Sequence, residues 1–223
     1  MPPADEPARF APEPDRDCPL CPRLHAFRED WRTREPGWYN APVNRFGERD
    51  SRLLIVGLAP GLRGANRTGR PFTGDYAGDL LYRTLLDYGF AEGTYEARPD
   101  DGLKLVDAAI ANAVRCVPPQ NKPLPLEITT CRQFLSGTIA EMPRLSSILA
   151  LGRIAHESTV AALGLRRAAF PFGHGRAIEV HQGLMLHDSY HCSRYNTNTG
   201  VLTEDMFRKV FASIRERLGP AVR

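Results

Sequence analysis

Short, wholly apolar runs alternate along the chain with longer amphipathic stretches. Residues 51–58 read Ser-Arg-Leu-Leu-Ile-Val-Gly-Leu, a compact apolar run that breaks into proline and glycine, the form of a strand buried on both faces. From Gly78 to Tyr88 the residues Leu80, Leu81, Leu85 and Tyr88 fall at helical spacing, and Gly89 supplies the stop. A second apolar run covers 108–114, the proline-rich stretch 117–125 excludes regular structure, and 126–141 reads as a helix. Residues 147–151, ahead of Gly152, form a third strand that runs into a helix over 153–163 ending at Gly164. A fourth strand covers 184–188, and Thr203 caps a last helix to about Leu218, with Glu204 in its first turn. Strands alternating with helices predict an α/β fold of three layers, α/β/α, around a central, mostly parallel, four-stranded sheet. Ligands of such sheets sit at the carboxyl ends of the strands, which directs attention to the loops after Leu58, Val114 and Asp188.

Composition narrows this picture. A chain of 223 residues can bury ~70% of its unfolded surface in one core. Its 42% hydrophobic and 25% charged residues are those of an ordinary globular protein. The longest apolar run, 53–62, contains Gly57, Pro60 and Gly61 and falls short of the ~18 residues a membrane helix requires. Residues 1–17 hold five of the 19 prolines, five acidic side chains and only Phe10 as a large apolar residue, so they are expected to form a loose tail before a single domain over 18–223. No basic stretch followed by an apolar one opens the chain, which points to a reducing, cytoplasmic setting; a monomer without membrane association is expected. The net charge of +3 permits a nucleic-acid partner without demonstrating one.

Three groups of residues carry candidate chemistry. Cys18-Pro-Leu-Cys21 is a chelating pair, and Cys116 and Cys131 follow after gaps of 94 and 14 residues. Four thiolates suit a tetrahedral zinc or an iron–sulfur cluster, and spacing does not choose between them. Free buried thiols would explain Cys116 and Cys131 singly, but not Cys18 in a polar, proline-rich segment. Next, Gly57-Leu-Ala-Pro-Gly-Leu-Arg-Gly64 leaves the first strand through three glycines, and Arg63, Arg67 and Arg70 precede the next acid, Asp75. Bare amides and cations can hold an anion, although glycines after a strand are also common turn chemistry. Phe72 reads as core or as a stacking face, and Asp75 as a helix cap or an acid. Last, residues 189–200 read Ser-Tyr-His-Cys-Ser-Arg-Tyr-Asn-Thr-Asn-Thr-Gly, a long polar loop at a strand end that places His191 where function concentrates. His25, His156, His174, His181 and His187 read as solvated or core-satisfied.

Assembled, these residues resemble the uracil-DNA glycosylase superfamily, within it the iron–sulfur branch called family 5. The resemblance covers about residues 18 to 215. It rests on Gly57-Leu-Ala-Pro-Gly61, on Asn66-Arg-Thr-Gly-Arg-Pro-Phe-Thr-Gly-Asp75, on Asn112-Ala-Val-Arg-Cys116-Val-Pro-Pro-Gln-Asn-Lys-Pro, and on His191-x-Ser-Arg-x-Asn-Thr-Asn-Thr-Gly200. The resemblance implies a four-iron four-sulfur (4Fe-4S) cluster on Cys18, Cys21, Cys116 and Cys131. It implies DNA containing uracil or other deaminated bases as substrate, hydrolysed at the N-glycosidic bond. Family 4 enzymes carry Glu after the first glycine, and the best-known bacterial enzymes carry Asp two places after it; here Leu58 and Ala59 stand there, and the resemblance moves the acid to Asp75. Many relatives read His-Pro-Ser where this chain reads His191-Cys192-Ser193.

The implied division of labour makes Asp75 and His191 catalytic and assigns Gly57, Leu58, Ala59, Phe72 and Asn112 to the base. Arg67, Arg70, Arg194 and Tyr195 would contact phosphates or fill the stack, a solvated charged face being the plainer reading of the arginines. Two other functions compete on the sequence alone: a cluster-bearing protein that binds DNA damage without turnover, and a zinc-stabilised nucleotide hydrolase. One superfamily branch traps abasic DNA through a loop histidine, but residues 117–125 contain none.

Overall fold

The computed structural model describes residues 13–220. In chain order the elements are α1 (Pro22–Arg34), β1 (Leu53–Gly57), α2 (Ala65–Thr68), α3 (Tyr76–Asp87), β2 (Ala91–Glu92), β3 (Lys104–Leu105), β4 (Ala108–Asn112), α4 (Pro125–Ala140), β5 (Ser147–Leu151), α5 (Arg153–Ala162), β6 (Ala177–His181), β7 (Leu184–Ser189), α6 (Arg194–Asn198) and α7 (Glu204–Leu218). Single 3-10 turns at Pro119–Asn121 and Arg167–Ala169 interrupt the loops.

The apolar runs become the centre of one sheet, in the order β4-β1-β5-β7-β6. β1 pairs in parallel with β4 and β5, and β5 with β7. Because successive strand residues face opposite ways, Leu53, Ile55, Ile110 and Leu149 pack under α3 and α7. Leu54, Val56, Ala109, Ala111 and Ile148 pack on the other face against Leu135 of α4 and Val160 of α5. Three layers result, as expected. The sheet has five strands rather than four: β6 joins antiparallel on the edge through a tight turn at Gln182-Gly183, where Gly183 has φ +80°. Its residues alternate, with only Val180 fully buried, because an edge strand needs just one apolar face. A third, small cluster holds Leu24, Val114 and Phe134 with Cys18, Cys21, Cys116 and Cys131.

The acidic segment expected to be loose is described from Glu13 onward, and residues 1–12 of that expectation lie outside the described residues. Glu13 accepts from the Arg45 amide at 3.2 Å and pairs with the fully buried Arg115 at 3.4 Å. Asp17 pairs with Arg32 at 2.6 Å. Among the described residues, no helix is long and apolar enough to cross a membrane.

Candidate active site

A pocket of about 400 Å³ opens at the carboxyl ends of β1, β4 and β7, the address an open α/β sheet reserves for ligands. Leu58, Ala59, Pro60 and Gly61 leave β1 along one wall, Asn112 ends β4, and His191 and Ser193 follow β7. Phe72 and Asp75 come from the turn between α2 and α3. The structure therefore brings together Leu58, Ala59, Phe72, Asp75, Asn112 and His191, six of the residues singled out in sequence. Gly57 stands beneath them. A Cβ there would lie 2.4 Å from Asn112 Oδ1 and 2.6 Å from Phe72 Cζ, so the glycine is what lets these two side chains meet.

Phe72 is held in an uncommon conformation, φ +52°, for a residue with a side chain. Its carbonyl accepts from the Tyr95 hydroxyl at 3.3 Å, and the carbonyl before it from Tyr82 at 2.6 Å. Gly78 is required here too, since a Cβ would come within 1.8 Å of the Phe72 carbonyl oxygen. The Phe72 and His191 rings lie 5.9 Å apart at 29°, leaving two flat faces on one pocket.

Asp75 caps a helix and also lines the pocket. Its Oδ1 accepts from Gly78 N at 3.2 Å as the cap of α3, and its Oδ2 faces the glycine turn, 2.6 Å from where a Cβ on Gly64 would stand. Burial pushes the carboxyl above its ordinary pKa, against the lowering by the Gly78 and Ala77 amides. Burial also pushes the His191 imidazole down to about 4, so the ring is neutral near pH 7 and offers one N–H. Asn112 is 2% exposed, and its Oδ1 is buried without a partner among the described residues. A buried acceptor left open at a pocket wall is suited to a ligand N–H.

The arginines divide. Arg194 lines the pocket with its guanidinium over the Tyr76 ring at 5.2 Å, and Tyr195 beside it is 74% exposed. Arg67 is exposed but lies outside the pocket, in a neighbouring groove with Arg16, Trp38 and Tyr39. Arg70 is a correction. Expected at the DNA, it is 5% exposed and grips Asp101 with both nitrogens at 2.8 and 2.7 Å, while its Nε donates to Thr73. Tyr76, Ser193 and Asn121 also line the pocket and were not singled out. Asn121 and Gln120 both have φ +56°, a turn that the proline-rich composition announced only as irregular. Cys192 is fully buried, its thiol pointing to Ala77 O at 3.4 Å. Burial pushes that thiol up to about 12, which makes it inert.

On the far side of β4, the four remaining cysteines line one small cavity with Arg28 and Arg115. Arg28 Nη1 donates to Cys116 Sγ at 3.0 Å, and Arg115 N to Cys131 Sγ at 3.2 Å. Among the described residues, no three His, Cys, Asp or Glu side chains converge as they stand on a single-ion site.

The Uracil DNA glycosylase superfamily model matches residues 44–215. The chain is similar to a Type-5 uracil-DNA glycosylase of Thermus thermophilus, 44% identical over 208 residues, which cover 91% of this chain and 94% of the relative. It is similar to a Type-5 uracil-DNA glycosylase of Pyrobaculum aerophilum, 35% identical over 87% of this chain and 86% of that protein. A Type-4 uracil-DNA glycosylase of Thermotoga maritima matches less, 34% over 63% of this chain and 59% of its own. The matched span contains every residue that lines the strand-end pocket. By that span and by the identity to these relatives, the chain belongs to the uracil DNA glycosylase superfamily.

Proposed function

We propose that this protein is a DNA-repair glycosylase that hydrolyses the bond between uracil and deoxyribose in DNA, leaving an abasic site. The observation that carries the reading is the meeting, in one strand-end pocket, of a flat ring, an open amide, a neutral imidazole and a carboxylate: Phe72, Asn112, His191 and Asp75. Breaking the N-glycosidic bond places positive charge on the sugar and negative charge on uracil O2. The His191 N–H donates to that oxygen, Asp75 stabilises the sugar cation or takes a proton from the attacking water, and Phe72 stacks on the base. A duplex base reaches such a pocket only by leaving the stack, which costs a few kcal/mol and favours mispaired uracil. Arg194 at the pocket, the exposed Tyr195 next to it in sequence and Arg67 in the neighbouring groove would meet phosphates and fill the vacated stack. Incubation with uracil-containing oligonucleotides, followed by alkaline cleavage on a gel, tests the reading. Uracil strands left intact by stoichiometric protein would sink it.

Asn112 is assigned to the Watson–Crick edge, where an amide can donate to the C4 carbonyl and accept from N3–H. Asn112→Asp turns the donor into a second acceptor. It should weaken the uracil transition state by about 1–3 kcal/mol, measured as single-turnover release from U:G duplexes, and a gain on C:G pairs would follow from the same polarity. If Asn112→Asp and Asn112→Ala both keep wild-type uracil rates and melting temperatures, the residue does not read the base.

We further propose that Cys18, Cys21, Cys116 and Cys131 hold a 4Fe-4S cluster. Their setting fits one. Burial pushes Cys116 up to about 11 and Cys131 up to about 12, so unligated thiols would stay neutral. Beside them, Arg28 Nε and Arg115 Nε and Nη1 are buried without partners among the described residues, and Arg115 has the Glu13 carboxylate 3.4 Å from its remaining terminal nitrogen. A cluster on four thiolates is a dianion that would supply Arg28 with a counter-charge and add to that of Glu13 at Arg115. When bound, it acts as a cross-link, since hydrolysis transfers no electrons. These ligands would tie the segment before α1 to the loop after β4 and to α4. Anaerobically purified protein should be brown, with about four iron per chain. Stoichiometric zinc without iron would overturn this assignment, and Cys116→Ala should cost folded yield rather than rate alone.

A further inference from the structure

We propose that His174, outside the pocket, is a positioning residue for His191. This rests on the glycosylase reading for its kinetic meaning, though not for its geometry. Three successive residues at the end of β7 are each anchored from a different part of the chain, and Ser189 Oγ also donates to Tyr190 O at 2.9 Å and lies 3.5 Å from His174 Nδ1. Gly152 N donates to Ser189 O at 2.7 Å, Tyr190 N donates to His174 Nδ1 at 3.0 Å, and Asn196 Nδ2 donates to His191 O at 2.8 Å. A backbone N–H can only donate, so His174 Nδ1 carries no proton and the neutral ring bears its proton on Nε2. The His174 ring also stacks on Tyr190, with centroids 4.9 Å apart at 12°. It therefore holds both the backbone and the side chain of the residue immediately before His191.

The segment that presents His174 is itself pinned to β7. Gly175 N donates to Asp188 O at 2.9 Å, Asp188 N to Arg176 O at 2.9 Å, and Gly173 N to Asp188 Oδ2 at 3.1 Å. On its other side, the Asp188 carboxylate meets His156 Nδ1 at 2.7 Å, and His156 Nε2 meets Phe170 O at 2.7 Å. Both nitrogens of this fully buried ring face acceptors, an arrangement that favours the doubly protonated form of His156. Its pKa is raised by Asp188 and Phe170 despite the opposing burial. Loop 170–176 is thus a bracket behind the histidine; it meets Tyr190 through the Phe172 ring, with centroids 6.0 Å apart, and through His174, which alone of the two bonds the Tyr190 backbone. No residue of it lines the pocket, so its influence on chemistry passes through the orientation of His191.

The test pairs two variants. His174→Phe keeps a ring against Tyr190 and removes the acceptor; His174→Asn puts Oδ1 close to where Nδ1 stood. In single-turnover assays on U:G duplexes, His174→Phe should release uracil at least ~10-fold more slowly, with Kd for DNA and melting temperature unchanged, and His174→Asn should recover to within ~3-fold of wild type. In DNA-free protein, the His191 ring resonances should shift or broaden in His174→Phe and return in His174→Asn. The inference is overturned if His174→Phe leaves both the rate and the His191 resonances as in wild type, or if His174→Asn restores neither. Should the wild-type protein fail to cut uracil-DNA, the glycosylase reading falls, and the resonances alone decide the positioning.

Discussion

Asp75→Asn should bind uracil-DNA as wild type does and release uracil at least ~100-fold more slowly. Its force comes from the double placement of Asp75. Asn caps a helix about as well as Asp, so the Gly78 amide keeps its acceptor at the start of α3. What disappears is the charge facing the glycine turn and the pocket. The sign of the stability change is the opposite of the usual carboxylate. Burial raises the pKa of Asp75 in the folded state, so the fold holds the proton more tightly than the unfolded chain does. Stability is therefore lost as pH rises from the unfolded value toward the higher folded one. Asp75→Asn should therefore melt at or above the wild-type temperature while losing its activity. The wild-type rate should also fall on the acid side as Asp75 takes up its proton, a limb the variant lacks. A single-turnover rate within a few-fold of wild type would leave Asp75 as a cap and nothing more.

Arg70→Met should cost about 3–5 kcal/mol of folding stability, the range for breaking a buried ion pair by removing one partner. The Arg70 and Asp101 side chains are 5% and 0% exposed. Asp101 accepts both guanidinium nitrogens and also the amides of Glu96, at 2.9 Å, and Leu103, at 3.1 Å. Met replaces the stem among the rings of Phe46, Tyr82 and Tyr95 but leaves this carboxylate without its counter-ion. Arg70 holds the Asp101 carboxyl far below the usual carboxylate range. That stabilisation is complete above the unfolded Asp value of ~3.9 and is lost as pH falls toward the folded one. Denaturant unfolding at pH 7 measures the loss, and a difference under ~1 kcal/mol would contradict a buried pair. Because Arg70 stands two residues before the strained Phe72, the variant should also lose glycosylase rate, whereas the salt dependence of DNA binding by the folded fraction stays unchanged. A phosphate contact would give the reverse pattern.

The glycines near the pocket explain why so short a stretch of sequence carries so much of the site. Gly57 admits Asn112 and Phe72, Gly64 admits the Asp75 carboxylate, and Gly78 admits the Phe72 carbonyl. Each is a place where a Cβ would collide with a group that the pocket uses.

The sequence by itself determined the layers and the address of the site. Buried parallel strands must be apolar on both faces, so β1, β4 and β5 stood out as continuous runs, and helices ending at Gly89 and Gly164 announced themselves by local chemistry. Strand-end loops follow from that topology, which is why Asp75 and His191 were legible as candidates, whereas Asn112 came from the resemblance to a known family. That resemblance also supplied the roles, but not the packing. Elements whose apolar content is small escaped: α1, with only Leu24 and Arg28 buried, and the edge strand β6. Only the tertiary structure decided the fate of each charge. Arg67, Arg70 and Arg194 look alike in sequence, yet Arg70 is taken by Asp101, 31 residues away, Arg194 faces the pocket, and Arg67 lies in the next groove. The pairing of Asp188 with His156 and of Tyr190 N with His174 likewise spans loops that no periodicity connects. Burial and partners are properties of the folded chain, and a charged side chain acquires its role only when long-range packing either leaves it in water or encloses it with its counter-ion.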